Sequence, residues 1–406
     1  MSESQSALPE GTRLLHIGPP KTGTSALQSA CHACRISMRQ QGVRYAGAAR
    51  QASTAAYAVT RRVHPSTGKP PSMRHWNSLV REVRGARERR VLISSEFFAG
   101  ASDEQAKGII RDLDPARAHV AITLRPLAKI LASRWQQNVQ EGARIPYDEW
   151  LREVLDNPVG EHGKRFWSRQ RHDALVQRWV EAVGSDRVTV IVVDEHDHNS
   201  LLTRFEELLG LDTGTLIPQK DSANRSLTIE EIEAVRSFNE QYFGEHFSKA
   251  LHYKMMARGA ALYMKARPAA PNESRLSTPL WAVTKANAFG SEVINAVQAL
   301  NVRVLGNLDS LVVPAADASK ESIVGDVARI SPEVAARMAM GVLLASGRAR
   351  GERGAGKGRV GPTWSEPQEL LRFGSFELLG TLIRRIWSGS IEKIAGLFER
   401  HEPPRR

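Results

Sequence analysis

Leu14-Leu15-His16-Ile17-Gly18-Pro19-Pro20-Lys21-Thr22-Gly23-Thr24-Ser25 is the stretch that decides how the chain folds. Residues 14–17 are a short apolar run, bounded by Pro9-Glu10-Gly11 before it and Gly18-Pro19-Pro20 after it, and this predicts a buried strand. A helix is expected from about Ser25, with Ala26, Leu27, Ala30, Cys31 and Ile36 in its interior and Gly42 capping its end. A glycine turn that leaves a strand and opens a helix presents bare backbone N–H groups at the positive end of the helix dipole, so its natural guest is phosphate. The spacing approaches the phosphate loop G-x-x-x-x-G-K-[ST], but Thr24 stands where the lysine should follow the second glycine, and Lys21 lies inside the loop instead. That shift moves the cation toward the first phosphorus and its leaving oxygen. The usual acidic partner for magnesium is missing too: residues 91–95 (VLISS) lead to Glu96, and residues 119–124 (HVAITL) lead to Arg125.

Working outward, residues 91–95, 119–124, 188–193 (VTVIVV) and 302–305 (VRVL) read as further strands, each short, continuously apolar or β-branched, and separated by helical patterns. The expectation is an α/β fold: a doubly wound parallel sheet with a P-loop-like phosphate-binding loop and a helical C-terminal extension. Thr228 and Glu231 form a capping box that opens an amphipathic helix expected to pack against the sheet, while residues 249–277 read as a polar lid or surface excursion. The domain reading is a disordered N-terminus over 1–12, an α/β domain over 13–314, a helical extension over 315–346, a Gly/Arg-rich linker over 347–363 and a basic amphipathic helical tail over 364–406.

With 406 residues and 41% hydrophobic residues the chain can bury a sizeable core, which excludes wholesale disorder. Lys+Arg 56 against Asp+Glu 44 gives +12, a balance that favours polyanionic partners. Two cysteines, Cys31 and Cys34, exclude a disulfide framework, and their C-x-x-C spacing lacks the second pair a zinc site needs; on a helix they read as small apolar fillers. The polar N-terminus lacks the apolar core of a signal peptide, so the expectation is a cytoplasmic protein, with peripheral membrane contact open through residues 375–398. Asp194-Glu195-His196-Asp197-His198 has metal-ligating residue types but sits at a strand end, where polar turn residues are ordinary, so no metal site is expected.

The segment Pro20-Lys21-Thr22-Gly23-Thr24-Ser25 resembles the 5'-phosphosulfate loop of sulfotransferases that use 3'-phosphoadenosine 5'-phosphosulfate (PAPS), and Arg125 with Ser133 matches that family's R-x7-S pair for the 3'-phosphate. An arginine fork and a hydroxyl suit a phosphate chemically. The resemblance spans roughly residues 13–310, includes Asn224-Arg225-Ser226-Leu227, and lacks the R-K-G-x-x-G-D-W segment of cytosolic phenol and steroid enzymes. It implies PAPS as co-substrate, no required metal, Lys21 at the leaving oxygen and Glu96 as general base, with His16 a lesser catalytic candidate. A carbohydrate, glycolipid or natural-product hydroxyl is the expected acceptor. The rival readings are an ATP- or GTP-dependent kinase with an atypical loop, and a non-catalytic nucleotide- or glycan-binding module.

Overall fold

The structure is a computed structural model that describes residues 7–64, 67–197, 199–219, 225–245, 248–270, 273–314 and 330–346. Six strands form one all-parallel sheet: β1 (Arg13–Ile17), β2 (Val43–Tyr45), β3 (Arg90–Ser94), β4 (Ala118–Leu124), β5 (Val188–Val192) and β6 (Arg303–Leu305), in the spatial order β2-β3-β1-β4-β5-β6. β1 is central, with Leu14 in register with Leu92 of β3 on one side and with His119 of β4 on the other. Strand order reverses direction around β1, so the loop leaving its carboxyl end opens into the crevice where doubly wound sheets bind ligands.

Both faces of the sheet are covered, which is why its strands read as continuous apolar runs. Alternate side chains divide between two cores: Leu14 and Leu92 pack with Leu27, Phe205 and Leu208, whereas Leu15, Ile17, Ile93 and Ile122 pack with Trp76, Trp135, Trp150 and Trp179. All four of those tryptophans are fully buried, and truncating one to alanine costs roughly 3–5 kcal/mol.

Several expectations need correction. Residues 8–12 are ordered: Leu8 is buried, its N–H donates to Leu208 O, and Arg90 Nε donates to Leu8 O at 2.6 Å. The helix after the loop spans Thr24–Ala33 and breaks at Cys34 before a short second helix, Arg35–Gln40, which leaves Ile36 76% exposed rather than interior. Gly42 does follow that second helix, at φ 78°, a left-handed backbone that favours glycine. The Thr228–Glu231 capping box is formed and opens the helix Ile229–Gly244, but this helix packs on the helix Leu127–Gln140, where Asn239 Nδ2 donates to Val139 O and Ala143 O at 2.7 and 2.8 Å.

Residues 249–265 are no polar excursion either. They form helix Lys249–Met255, a π-helical turn Met256–Ala260 and helix Ala261–Lys265, with Met256, Ala260, Ala261 and Met264 buried. The helix Pro332–Ser346 crosses that π-turn through reciprocal glycines. A methyl group on Gly341 would lie 2.5 Å from Ala260 Cα, and one on Gly259 would lie 2.7 Å from Gly341 O, so only glycine permits this approach at either position. The expected linker and amphipathic tail over 347–406 lie outside the described residues.

Candidate functional site

The loop after β1 is shaped by its glycines and threonines. A Cβ on Gly18 would sit 2.3 Å from Thr24 Cγ2 and 2.4 Å from Thr123 Oγ1, so the backbone turns there with no room for a side chain. Lys21 and Gly23 both adopt left-handed backbone, at φ 79° and 81°. For a lysine this conformation costs of order 1 kcal/mol or more and marks a position held by its surroundings. Thr22 is buried with its hydroxyl turned under the loop, donating to Pro19 O at 2.8 Å and pairing with Thr123 Oγ1 at 2.8 Å. The Thr22 hydroxyl therefore braces the loop, and what remains to a ligand there is backbone. Among the described residues no hydrogen bond takes up the N–H of Lys21, Thr22, Gly23, Thr24 or Ser25. Five consecutive donors are thus left without a partner at the start of the helix Thr24–Ala33, an arrangement suited to a phosphate or sulfonate.

Cationic side chains surround those amides. Arg125, one residue past β4, donates through Nη1 to Lys21 O at 3.3 Å, so the arginine and the loop share one crevice. Two more of its donors are engaged by Glu195 in a bidentate pair, Nε to Oε1 at 2.6 Å and Nη2 to Oε2 at 2.7 Å. Gln170 Nε2 donates to Pro20 O at 3.4 Å from the far end of helix Glu161–Gln170. Burial, with the charges of Lys265, Arg134 and Arg125 nearby, lowers the Lys21 ammonium to about 8.

Glu96 opens the 3-10 turn Glu96–Gly100 directly after β3, with Ser95 capping the turn by accepting from Phe97 N. Its carboxylate is half-buried and accepts from Gln28 Nε2 at 3.2 Å and Gln51 Nε2 at 3.5 Å. Gln28 lies on the helix that begins at the loop and also donates to Ser94 Oγ. His16 has no exposed surface. Its Nδ1 pairs with Ser94 Oγ at 2.8 Å, its Nε2 approaches Thr123 Oγ1 at 3.4 Å, and its ring meets Phe205 edge-on at 4.9 Å. Burial lowers it to about 3, which keeps the ring neutral across the physiological range. A group so enclosed does not reach a substrate; it joins Thr123 under the loop to Ser94 and, through Gln28, to Glu96. Ser133 is not brought into that chain, because its hydroxyl donates to Ile130 O at 2.9 Å on its own helix.

The sequence reading did not single out two charged residues as partners of this region. Glu195 engages Arg125 across seventy residues, which no local pattern reveals. Arg134 is 1% exposed and was passed over; it lies at helical spacing from the buried Leu127 and Leu131 on the same face. Cys31 and Cys34 are free and buried, and the Cys31 thiol is pushed up by its apolar surroundings, as befits fillers. Among the described residues no group of three or more potential metal ligands converges, and Asp194 instead accepts from His196 N and Asp197 N within its turn. No helix among them is long and apolar enough to cross a membrane.

No family model matches the chain, and no curated protein matches it. Among solved structures, a sulfotransferase from Alicyclobacillus acidocaldarius is similar over 60% of this chain and 97% of its own, at 19% identity and a TM-score of 0.36. The α/β assignment stands on the six-stranded parallel sheet itself.

Proposed function

We propose that the protein is a sulfotransferase that moves a sulfuryl group from PAPS to an acceptor hydroxyl, with the amides of residues 21–25 and Lys21 at the 5'-phosphosulfate, Arg125 at the 3'-phosphate and Glu96 as general base. The observation that carries this reading is the 3.3 Å contact from Arg125 Nη1 to the carbonyl of Lys21: an arginine next to the phosphate-type loop supports reading the two as anchors for a doubly phosphorylated adenosine. In the reaction the acceptor oxygen forms a bond to sulfur as the bond from sulfur to the 5'-phosphate oxygen breaks, and adenosine 3',5'-bisphosphate departs. Lys21 balances the charge that grows on the leaving oxygen, and the Glu96 carboxylate takes the acceptor's proton. The side chains of His16 and Thr22 brace the loop from beneath, and Thr22 meets the donor through its backbone amide alone. Ser133 would join the 3'-phosphate by rotating its hydroxyl off Ile130 O. A carbohydrate, glycolipid or natural-product acceptor and a cytoplasmic setting belong to the same proposal.

Calorimetry with adenosine 3',5'-bisphosphate against ADP and ATP tests the donor, and a labelled-sulfate screen of acceptors tests the transfer. Preferential binding of the bisphosphate and metal-independent transfer are expected. Magnesium-dependent triphosphate binding or hydrolysis would replace this reading with that of a kinase.

A further inference from the structure

Glu96 is aimed by neutral groups. Its two carboxylate oxygens accept from two side-chain amides, Oε2 from Gln28 Nε2 at 3.2 Å and Oε1 from Gln51 Nε2 at 3.5 Å, and no ion pair reaches it among the described residues. Amide donors fix the direction of a carboxylate without setting an opposite charge against it. Gln51 is held from beside the base, since Ser95 Oγ donates to its Oε1 at 3.3 Å. Gln28 comes from the donor's side. It is 1% exposed and lies on the helix Thr24–Ala33, four residues past the first residue of that helix, a rise of about 6 Å. The helix whose N-terminal amides suit an anion therefore also carries a group that holds the carboxylate.

The amide of Gln28 is turned for its nitrogen. Nε2 also donates to Ser94 Oγ at 3.2 Å, whereas Oε1 is buried with no partner among the described residues. Buried carbonyls are seldom left unpaired, and a half-turn of the amide would set Oε1 against the Glu96 carboxylate, so the pairing with Glu96 decides the orientation. The bonds behind it run one way, back to the loop. Thr22 donates its hydroxyl proton to Pro19 O, so Thr123 donates to Thr22, His16 Nε2–H donates to Thr123, and the bare Nδ1 accepts from Ser94, whose oxygen accepts from Gln28.

We propose that Gln28 is a positioning residue for the base: it fixes the bearing of the Glu96 carboxylate against the loop amides that hold the donor. The inference rests on the sulfotransferase reading and deepens it. Gln28 acts through Glu96 and reaches neither donor nor acceptor. In-line transfer tolerates little error in that bearing, because a misplacement of about 1 Å can lower a rate about 100-fold.

The test uses the full chain. Release of labelled sulfate from saturating PAPS, with water as the acceptor, reads the chemistry, and calorimetry with adenosine 3',5'-bisphosphate reads the donor site. Q28M keeps the length of the side chain and removes its donors. It should slow sulfate release about tenfold or more while the bisphosphate Kd stays within about twofold, a split that a brace of the loop would not produce. Side-chain amide NMR reads the contact without any Gln28 variant: E96A should move one of the assigned Gln28 amide protons upfield, since its acceptor is gone. Release by Q28M at the wild-type rate, or Gln28 amide protons unmoved by E96A, overturns the proposal. So does a parallel loss of bisphosphate affinity in Q28M, which would make Gln28 a support of the loop and leave the sulfotransferase reading intact. A wild type that binds no bisphosphate, or that passes sulfate neither to water nor to any screened acceptor, sinks the sulfotransferase reading itself and the role of Gln28 with it.

Discussion

Replacing Glu195 with glutamine should tighten the binding of a 3'-phosphate. In the structure both oxygens of Glu195 engage Arg125, at 2.6 and 2.7 Å, so an incoming phosphate competes with that carboxylate for the guanidinium. A charge-assisted bidentate pair is worth about 1.5–3 kcal/mol when shielded. Here 28% and 24% of the two side chains remain accessible, so water reduces the figure to about 1 kcal/mol. Removing the carboxylate also removes its repulsion of the phosphate, about 1 kcal/mol at 4 Å in a water-like medium. Together these give about 1–2 kcal/mol, or roughly 5- to 30-fold in Kd. Calorimetry at one fixed ionic strength should show that gain for adenosine 3',5'-bisphosphate and none for adenosine 5'-phosphate, which lacks the discriminating group. Weaker binding by E195Q would mean that Glu195 holds Arg125 in its productive pose, and an equal gain for both nucleotides would remove Arg125 from the 3'-phosphate.

E96A is expected to abolish transfer while leaving the bisphosphate Kd within about twofold, as seen by pairing turnover with calorimetry; wild-type turnover in E96A would take the carboxylate out of the chemistry. Because Lys21 is lowered to about 8, donor affinity should fall by up to about tenfold per pH unit as the pH rises above that value, and K21R should erase the inflection. The sign for stability is opposite: the folded value lies below the ordinary 10.5, so the unfolded chain binds more protons in that window and Lys21's contribution to stability grows as the pH climbs from about 8 to 10.5. G18A forces a methyl into Thr24 and Thr123, and should lower stability by about 1–3 kcal/mol in thermal melts and weaken the bisphosphate in parallel. A G18A protein that melts and binds as the wild type would show that the loop has slack the packing does not suggest.

The residues that were legible in the sequence share a physical trait: their message is local. The runs that became β1, β3, β4 and β5 are continuous because both sheet faces are covered, and the glycine loop is recognisable because strand, turn and helix follow directly. β2 passed unnoticed because three residues, Val43–Tyr45, with Arg44 in the middle, carry no period. The break at Cys34 inverted the expectation for Ile36, since a helix that restarts changes the face its residues present. Within the site, Arg125 lies beside the loop, but Glu195 and Gln170 reach the crevice from distant stretches of chain, and nothing near them in sequence announces it. Residues 249–277 looked polar on average, yet the apolar side of Met256, Ala260 and Met264 is what the fold uses.

The crossing at Gly259 and Gly341 sets the smallest unit worth expressing. Lys265, whose ammonium donates to Gln140 Oε1 on the arginine-bearing helix, sits at the end of the segment that this crossing clamps. A chain cut after the last strand would keep every sheet residue and still unfasten one wall of the crevice, so a trimmed version should stop no earlier than Ser346.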